Sequence, residues 1–226
     1  MTREHPFWGY EDLALFVSAV LPSFALAKLA VGTARLSSDA MKTLMFQSLV
    51  YALLLGSLYL LISVRYGHPF WRALGWKTAY PGGWLCIVAG PVLAVGVAGL
   101  GSVLRAPVVP TPIENLVSDR RSLVIMLFFL AVCGPLFEEL VFRGFLFPLL
   151  ARSFGTWPGI VLAAVPFALL HGPQYQWTWQ HLVLVGLAGV AFGYARYKTE
   201  STAASAIVHS GYNVTFFAGF LIQKCV

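Results

Sequence analysis

The chain has 226 residues, of which 58% are hydrophobic and only 11% charged, where ordinary globular chains carry roughly a quarter charged residues. That composition excludes an ordinary soluble core, and no polar stretch is long enough to fold as a separate soluble domain. The net charge of +6 is scattered over loops and span ends; this suits contact with anionic lipid headgroups and excludes a nucleic-acid face.

Runs of about 20 apolar residues read as membrane spans. The opening segment, Met1 to Gly9, is polar and mixed in charge, with no cleavable secretory signal. The first predicted span runs from Leu13 to Ala34, kinked at Pro22, with Lys28 snorkelling near its end. The second covers Thr43 to Val64. Arg65 to Gly83 mixes aromatic and basic groups, among them Trp71, Arg72, Trp76 and Lys77, and belongs at a membrane interface. The third span, Trp84 to Leu104, is rich in glycine and alanine, which lets helices approach closely. Arg105 to Arg121 is a polar connection, with a short interfacial turn expected at Ile113 to Val117. The fourth span starts near Ser122 and is interrupted by Gly134 and Pro135. It resumes to Leu150, as one kinked helix or two joined at an angle. The fifth, sixth and seventh spans are Trp157 to Leu170, His181 to Tyr197 and Thr202 to Ile222.

The predicted fold is therefore all-α, a polytopic transmembrane helical bundle of seven spans, or eight if the fourth is split. It forms one integral membrane domain over residues 1–226. Cys86, Cys133 and Cys225 show no paired spacing, so neither a disulfide framework nor a thiolate metal site is expected. Arginine and lysine are almost evenly divided between the two sides, so the positive-inside rule favours a cytoplasmic N-terminus only slightly.

Inside this apolar sequence stand the ionisable groups Glu138, Glu139 and Arg143. Charges at membrane depth are expensive and persist only with a partner or a function. Residues four apart share a helix face, so Glu139 and Arg143 can pair while Glu138 points about 100° away. Neighbouring carboxylates in a poorly solvated place resist ionising together, which suits a group that must trade protons near neutrality. Taken alone, the doublet serves equally well as an ion-paired helix end. His171 follows Phe167 by one turn at the end of an apolar helix. His209 and Asn213 share a face of the last span, and by themselves fit an interhelical polar clasp. His5, His68 and His181 are assigned no chemistry.

The joint pattern is more specific than its parts. Glu-Glu-x-x-x-Arg, Phe-x-x-x-His and His-x-x-x-Asn stand in that order on separate hydrophobic helices. Together they resemble the CPBP family of CAAX-processing and bacteriocin-processing intramembrane proteases, also called the Abi family, which includes the Rce1-type CAAX endopeptidases. The resemblance covers Ser122 to Phe217; the N-terminal half matches only in general hydropathy. It implies that Glu138 is a general base acting with His171 on a water molecule. It also implies that His209 and Asn213 donate to the oxyanion, and that Glu139 and Arg143 position Glu138. Glu139 is a lesser candidate for the base itself. Phe167 would pack the site wall, and Ser210, beside His209 but off its face, is structural. The implied enzyme is a metal-independent endopeptidase with no cofactor. Its partners would be membrane lipid and a membrane peptide or protein substrate, a prenylated Cys-a-a-X tail being one candidate. The aromatic stretch Gly172 to Gln180 would line the lipid entrance. Short loops and compact length suggest a prokaryotic plasma membrane.

Two other classes fit the same residues. A carboxylate and two histidines can hold a catalytic zinc, although the close His-Glu-x-x-His pair is missing. A polar cluster in a bundle can also belong to a transporter-like pathway, or to a non-catalytic immunity or scaffold protein.

Overall fold

The computed structural model describes residues 6–34, 39–80, 82–109 and 120–225. The interfacial turn expected at Ile113 to Val117 lies outside them. Every regular element among the described residues is helical. Five runs among them are long and apolar enough to cross a membrane: Tyr10–Thr33, Met41–Arg65, Gly83–Val103, Ser122–Phe154 and Thr202–Gln223. The molecule is thus a helical membrane bundle. Large apolar side chains such as Leu21, Leu29, Val95 and Val103 point outward. Asp12, Ser23, Glu139, Arg143, Ser205 and His209 are buried within. Water-facing proteins rarely expose so continuous an apolar surface, whereas lipid requires one.

The first run is broken into α1 (Tyr10–Ser18) and α2 (Val20–Thr33) at Ala19. Pro22 explains the break: it has no N–H to donate, and its ring crowds the carbonyl four residues back. α3 (Asp39–Tyr59) continues through a π turn, Leu60–Arg65. After the short α4 (Phe70–Ala73) comes α5 (Gly83–Val103). The fourth run is continuously helical from α6 (Arg120–Phe128) through α7 (Gly134–Glu139) to α8 (Phe147–Phe154). Two π turns, Phe129–Cys133 and Leu140–Leu146, join these pieces. The interruption expected at Gly134 and Pro135 is therefore a widening rather than a break. Each π turn is followed within two residues by a proline, Pro135 or Pro148. Bonds from i to i+5 give a proline ring room that the tighter α turn denies it.

α9 (Thr156–Leu170) and α10 (Trp179–Thr199) are joined through a 3₁₀ turn, Gly172–Tyr175, and α11 (Thr202–Cys225) closes the chain. α9 is about 22 Å long at 1.5 Å per residue, short of the roughly 30 Å of hydrocarbon. α10 has 21 residues but carries Gln180, His181, Arg196 and Lys198, and is not among the five long apolar runs.

One end of the bundle is laced together by polar contacts. Trp8 Nε1 donates to the Phe145 carbonyl at 3.1 Å, and Arg152 donates to the carbonyls of Pro6 and Trp8. Thr202 donates from its backbone to Gly75 and from its hydroxyl to Leu74, while Ser201 Oγ donates to Lys77 O. Lys77 and Glu200 pair at 3.2 Å, and the Lys77 ammonium holds the Glu200 carboxyl below the usual carboxylate range. α11 starts at this end and packs most extensively on α5.

The α5–α11 contact depends on two glycines. A Cβ on Gly90 would lie 2.8 Å from the Tyr212 nitrogen and collide with the Val208 carbonyl. One on Gly211 would lie 3.0 Å from Pro91 Cδ. Backbone meets backbone here, as small residues permit between spans. Gly90→Val should therefore cost about 1–3 kcal/mol of overpacking, read as a lower unfolding temperature in detergent. Gly96→Val, where a Cβ would meet nothing within 4 Å, should leave that temperature unchanged.

Candidate functional site

Glu138 and Glu139 end α7, between the two π turns, and their side chains diverge as adjacent helical residues must. The Glu139 side chain is fully sealed at 0% exposure and Arg143 is at 1%, whereas 15% of Glu138 is exposed. Arg143 Nη1 donates to Glu139 Oε1 at 3.0 Å, the pairing that the four-residue spacing predicts. Its Nη2 donates to the Gly189 carbonyl at 2.8 Å. The guanidinium also lies over the Phe167 ring at 4.5 Å and the Phe192 ring at 5.4 Å. Burying a charge this completely costs several kcal/mol unless its donors are satisfied. Here carboxylate, carbonyl and aromatic faces share that duty. Gly189 permits the approach, since a Cβ there would lie 3.0 Å from Phe167 and 3.4 Å from Arg143 Nη2.

Glu139 ties its own helical run to α11. Besides Arg143, its Oε1 accepts from His209 Nδ1 at 2.9 Å, and its Oε2 accepts from Ser205 Oγ at 2.5 Å. Both partners stand on α11, one turn apart. An ionised carboxylate only accepts, so Nδ1 of His209 carries the proton. The other ring nitrogen, Nε2, then faces Glu138 Oε2 at 3.7 Å. The imidazole is held flat on Phe192, with centroids 4.3 Å apart, and meets the edge of Phe167 at 5.9 Å. At 1.5 Å per residue, His209 lies about 10 Å along α11 from the laced end.

Glu138 takes different partners. Tyr51 of α3 donates its hydroxyl to Glu138 Oε1 at 3.0 Å. The same oxygen lies 3.9 Å from where a Cβ on Gly134 would be, an ordinary van der Waals distance.

His171 caps α9 and hydrogen bonds through Nδ1 to the Phe167 carbonyl at 2.8 Å. A carbonyl only accepts, so Nδ1 is the protonated nitrogen and Nε2 holds the lone pair of the neutral ring. His171 meets the Phe167 ring at 4.7 Å between centroids. Phe167, buried at 2% exposure, is thus the shared wall of both histidines and Arg143. Asn213 donates through Nδ2 to the Leu130 carbonyl at 3.0 Å. In the π turn Gly134 N–H reaches Phe129 O, so the next bond in that register would run from residue 135 to Leu130. Pro135 has no N–H to give, and the Asn213 amide supplies one from another helix.

The structure thus brings Glu138, Glu139, Arg143 and His209 into one contact network. His171 joins it through Phe167, and Asn213 flanks it on the π turn. Sequence reasoning missed two members. Ser205 stands one turn before His209 on the same face, a signal that was present. Tyr51 lies 87 residues from its partner in a run with no distinguishing spacing. Among the described residues, no group of three or more His, Cys, Asp or Glu side chains is arranged to hold a metal ion.

Arg143→Met should strand the Glu139 carboxylate and destabilise the fold by about 3–5 kcal/mol, read by thermal unfolding in detergent. Adding Glu139→Leu should recover part of that loss, because the stranded carboxylate is gone while the buried His209 Nδ1–H loses its acceptor.

Residues 120–215 match the family model described as type II CAAX prenyl endopeptidase Rce1-like. No curated protein and no solved structure matches the chain. The matched stretch begins with α6 and ends two residues beyond Asn213, so the motif residues all lie inside it, while Tyr51 and Gly90 lie outside. Within its bundle of membrane-spanning helices, residues 120–215 are therefore Rce1-like, similar to CAAX-protease-type membrane endopeptidases and in keeping with the CPBP family.

Proposed function

We propose that this domain hydrolyses a peptide bond with a water molecule activated by Glu138. The observation that carries the reading is the contrast between the adjacent carboxylates: Glu139 is sealed and triply bonded, while Glu138 is partly open and faces His209. A base must reach the proton it takes, and only Glu138 is placed to do so.

In this mechanism Glu138 takes a proton from water, with the lone pair of His171 Nε2 helping to orient that water. The oxygen attacks the peptide carbonyl carbon. The oxyanion accepts from His209 Nε2–H and from an Asn213 amide N–H; one N–H of that amide already serves Leu130, and a second remains. Because Nδ1–H of His209 is committed to Glu139, donation from Nε2 requires the imidazolium. With two carboxylates, one guanidinium and one imidazolium the cluster carries no net charge. Glu138 then passes its proton to the leaving amine nitrogen, and the peptide bond breaks.

The chemistry needs no metal in this reading. The substrate is a membrane peptide, best matched by a prenylated Cys-a-a-X tail whose lipid enters between helices near the exposed Trp177 and Trp179. Glu138→Gln should lower cleavage of a farnesylated Cys-a-a-X peptide by about 10²–10⁴-fold while leaving expression and unfolding temperature near wild type. Retained turnover would remove Glu138 from the base role. Activity should also survive exhaustive chelation, with no stoichiometric zinc in the purified protein; loss on chelation, restored by zinc, would favour the metal reading.

A further inference from the structure

Tyr51 stands in the middle of α3, outside the stretch that matches the family. Its ring stacks on Phe137 at 3.9 Å between centroids, with planes 12° apart, and on Phe129 at 5.7 Å and 14°. Both aromatics belong to the helical run that bears Glu138. The stacking fixes the phenol plane, and its hydroxyl reaches Glu138 Oε1 at 3.0 Å. A tyrosine hydroxyl removed from bulk water takes a partner, and for the part-buried Tyr51 the partner is a carboxylate.

The consequence for Glu138 is asymmetry. The terminal torsion of a glutamate is soft and nearly two-fold, so an unheld carboxylate presents either oxygen. Tyr51 occupies Oε1 and leaves Oε2 facing His209 Nε2 at 3.7 Å. The donor is neutral, so the bond persists when Oε2 gains a proton and Oε1 becomes a carbonyl oxygen.

We infer that Tyr51 is a positioning residue for Glu138, holding Oε1 so that Oε2 is the oxygen that takes and returns the proton. The inference rests on the reading of Glu138 as the base.

The test compares Tyr51→Phe, Tyr51→Leu and Glu138→Gln in the full-length protein in nanodiscs, with a farnesylated Cys-a-a-X peptide as probe. Tyr51→Phe keeps the stacked ring and removes only the hydroxyl. It should lower kcat about 10- to 100-fold, the scale of a misplaced reacting group, with KM within about twofold and the unfolding temperature near wild type. Tyr51→Leu also loses the stack and should unfold earlier. A second reading needs no turnover: the infrared difference between wild type and Glu138→Gln isolates the Glu138 carboxyl band, and Tyr51→Phe should move it. An unmoved band overturns the inference whether or not the probe is cleaved. Wild-type kcat in Tyr51→Phe, or a loss confined to KM or to folding, overturns it while leaving an inactive Glu138→Gln to support the base. Full turnover in Glu138→Gln instead sinks the base reading, and this inference with it.

Discussion

The buried ion pair between Glu139 and Arg143 is the interaction on which the rest of this bundle depends. Neither charge could stay inside alone, because each would keep the full cost of leaving water. The pair is completed by the Gly189 carbonyl from α10 and by Ser205 and His209 from α11. Three helices are thereby fixed in azimuth as well as in distance. Apolar packing between spans specifies rotation poorly, since lipid is as apolar as leucine. The polar knot supplies the rotation, and with it the direction in which Glu138 and His209 look.

Around that knot the unmatched N-terminal half acts as a wall. α3 brings Tyr51 against Glu138, and α5 presses glycine to glycine on α11. The N-terminal segment locks onto the second π turn and α8 through Trp8 and Arg152. The motif residues of the matched stretch therefore do not make a closed pocket by themselves. One side of Glu138 is built by a helix about which the family match is silent.

Much of the fold was legible in the sequence because hydropathy and punctuation agree. The spans read at Leu13 to Ala34, Thr43 to Val64 and Trp84 to Leu104 fall on helices whose ends carry glycine, proline or charge. The i,i+4 pairing of Glu139 with Arg143 was legible from spacing alone. Three features were not. Gly134 and Pro135 signalled an interruption, but sequence does not say whether a helix answers proline by breaking or by widening. Tyr51 is one aromatic in an apolar run, and its role arises from a contact between distant segments. The partner of Asn213 is a carbonyl left over by Pro135, visible only once the π register is known. Ser205 differs from these, since its place one turn before His209 could have been read.

The two π turns also give the long helix a phase. Each residue added to or removed from a helix turns everything beyond it by about 100°. Phe129–Cys133 lies immediately upstream of the carboxylates and Leu140–Leu146 immediately downstream. Losing one residue from the first would swing the acidic pair away from α3 and α11; losing one from the second would carry Arg143 off its anion. This stretch should therefore accept changes of side chain far more readily than changes of length. Over millions of years it would drift in letters while its count of residues stays frozen.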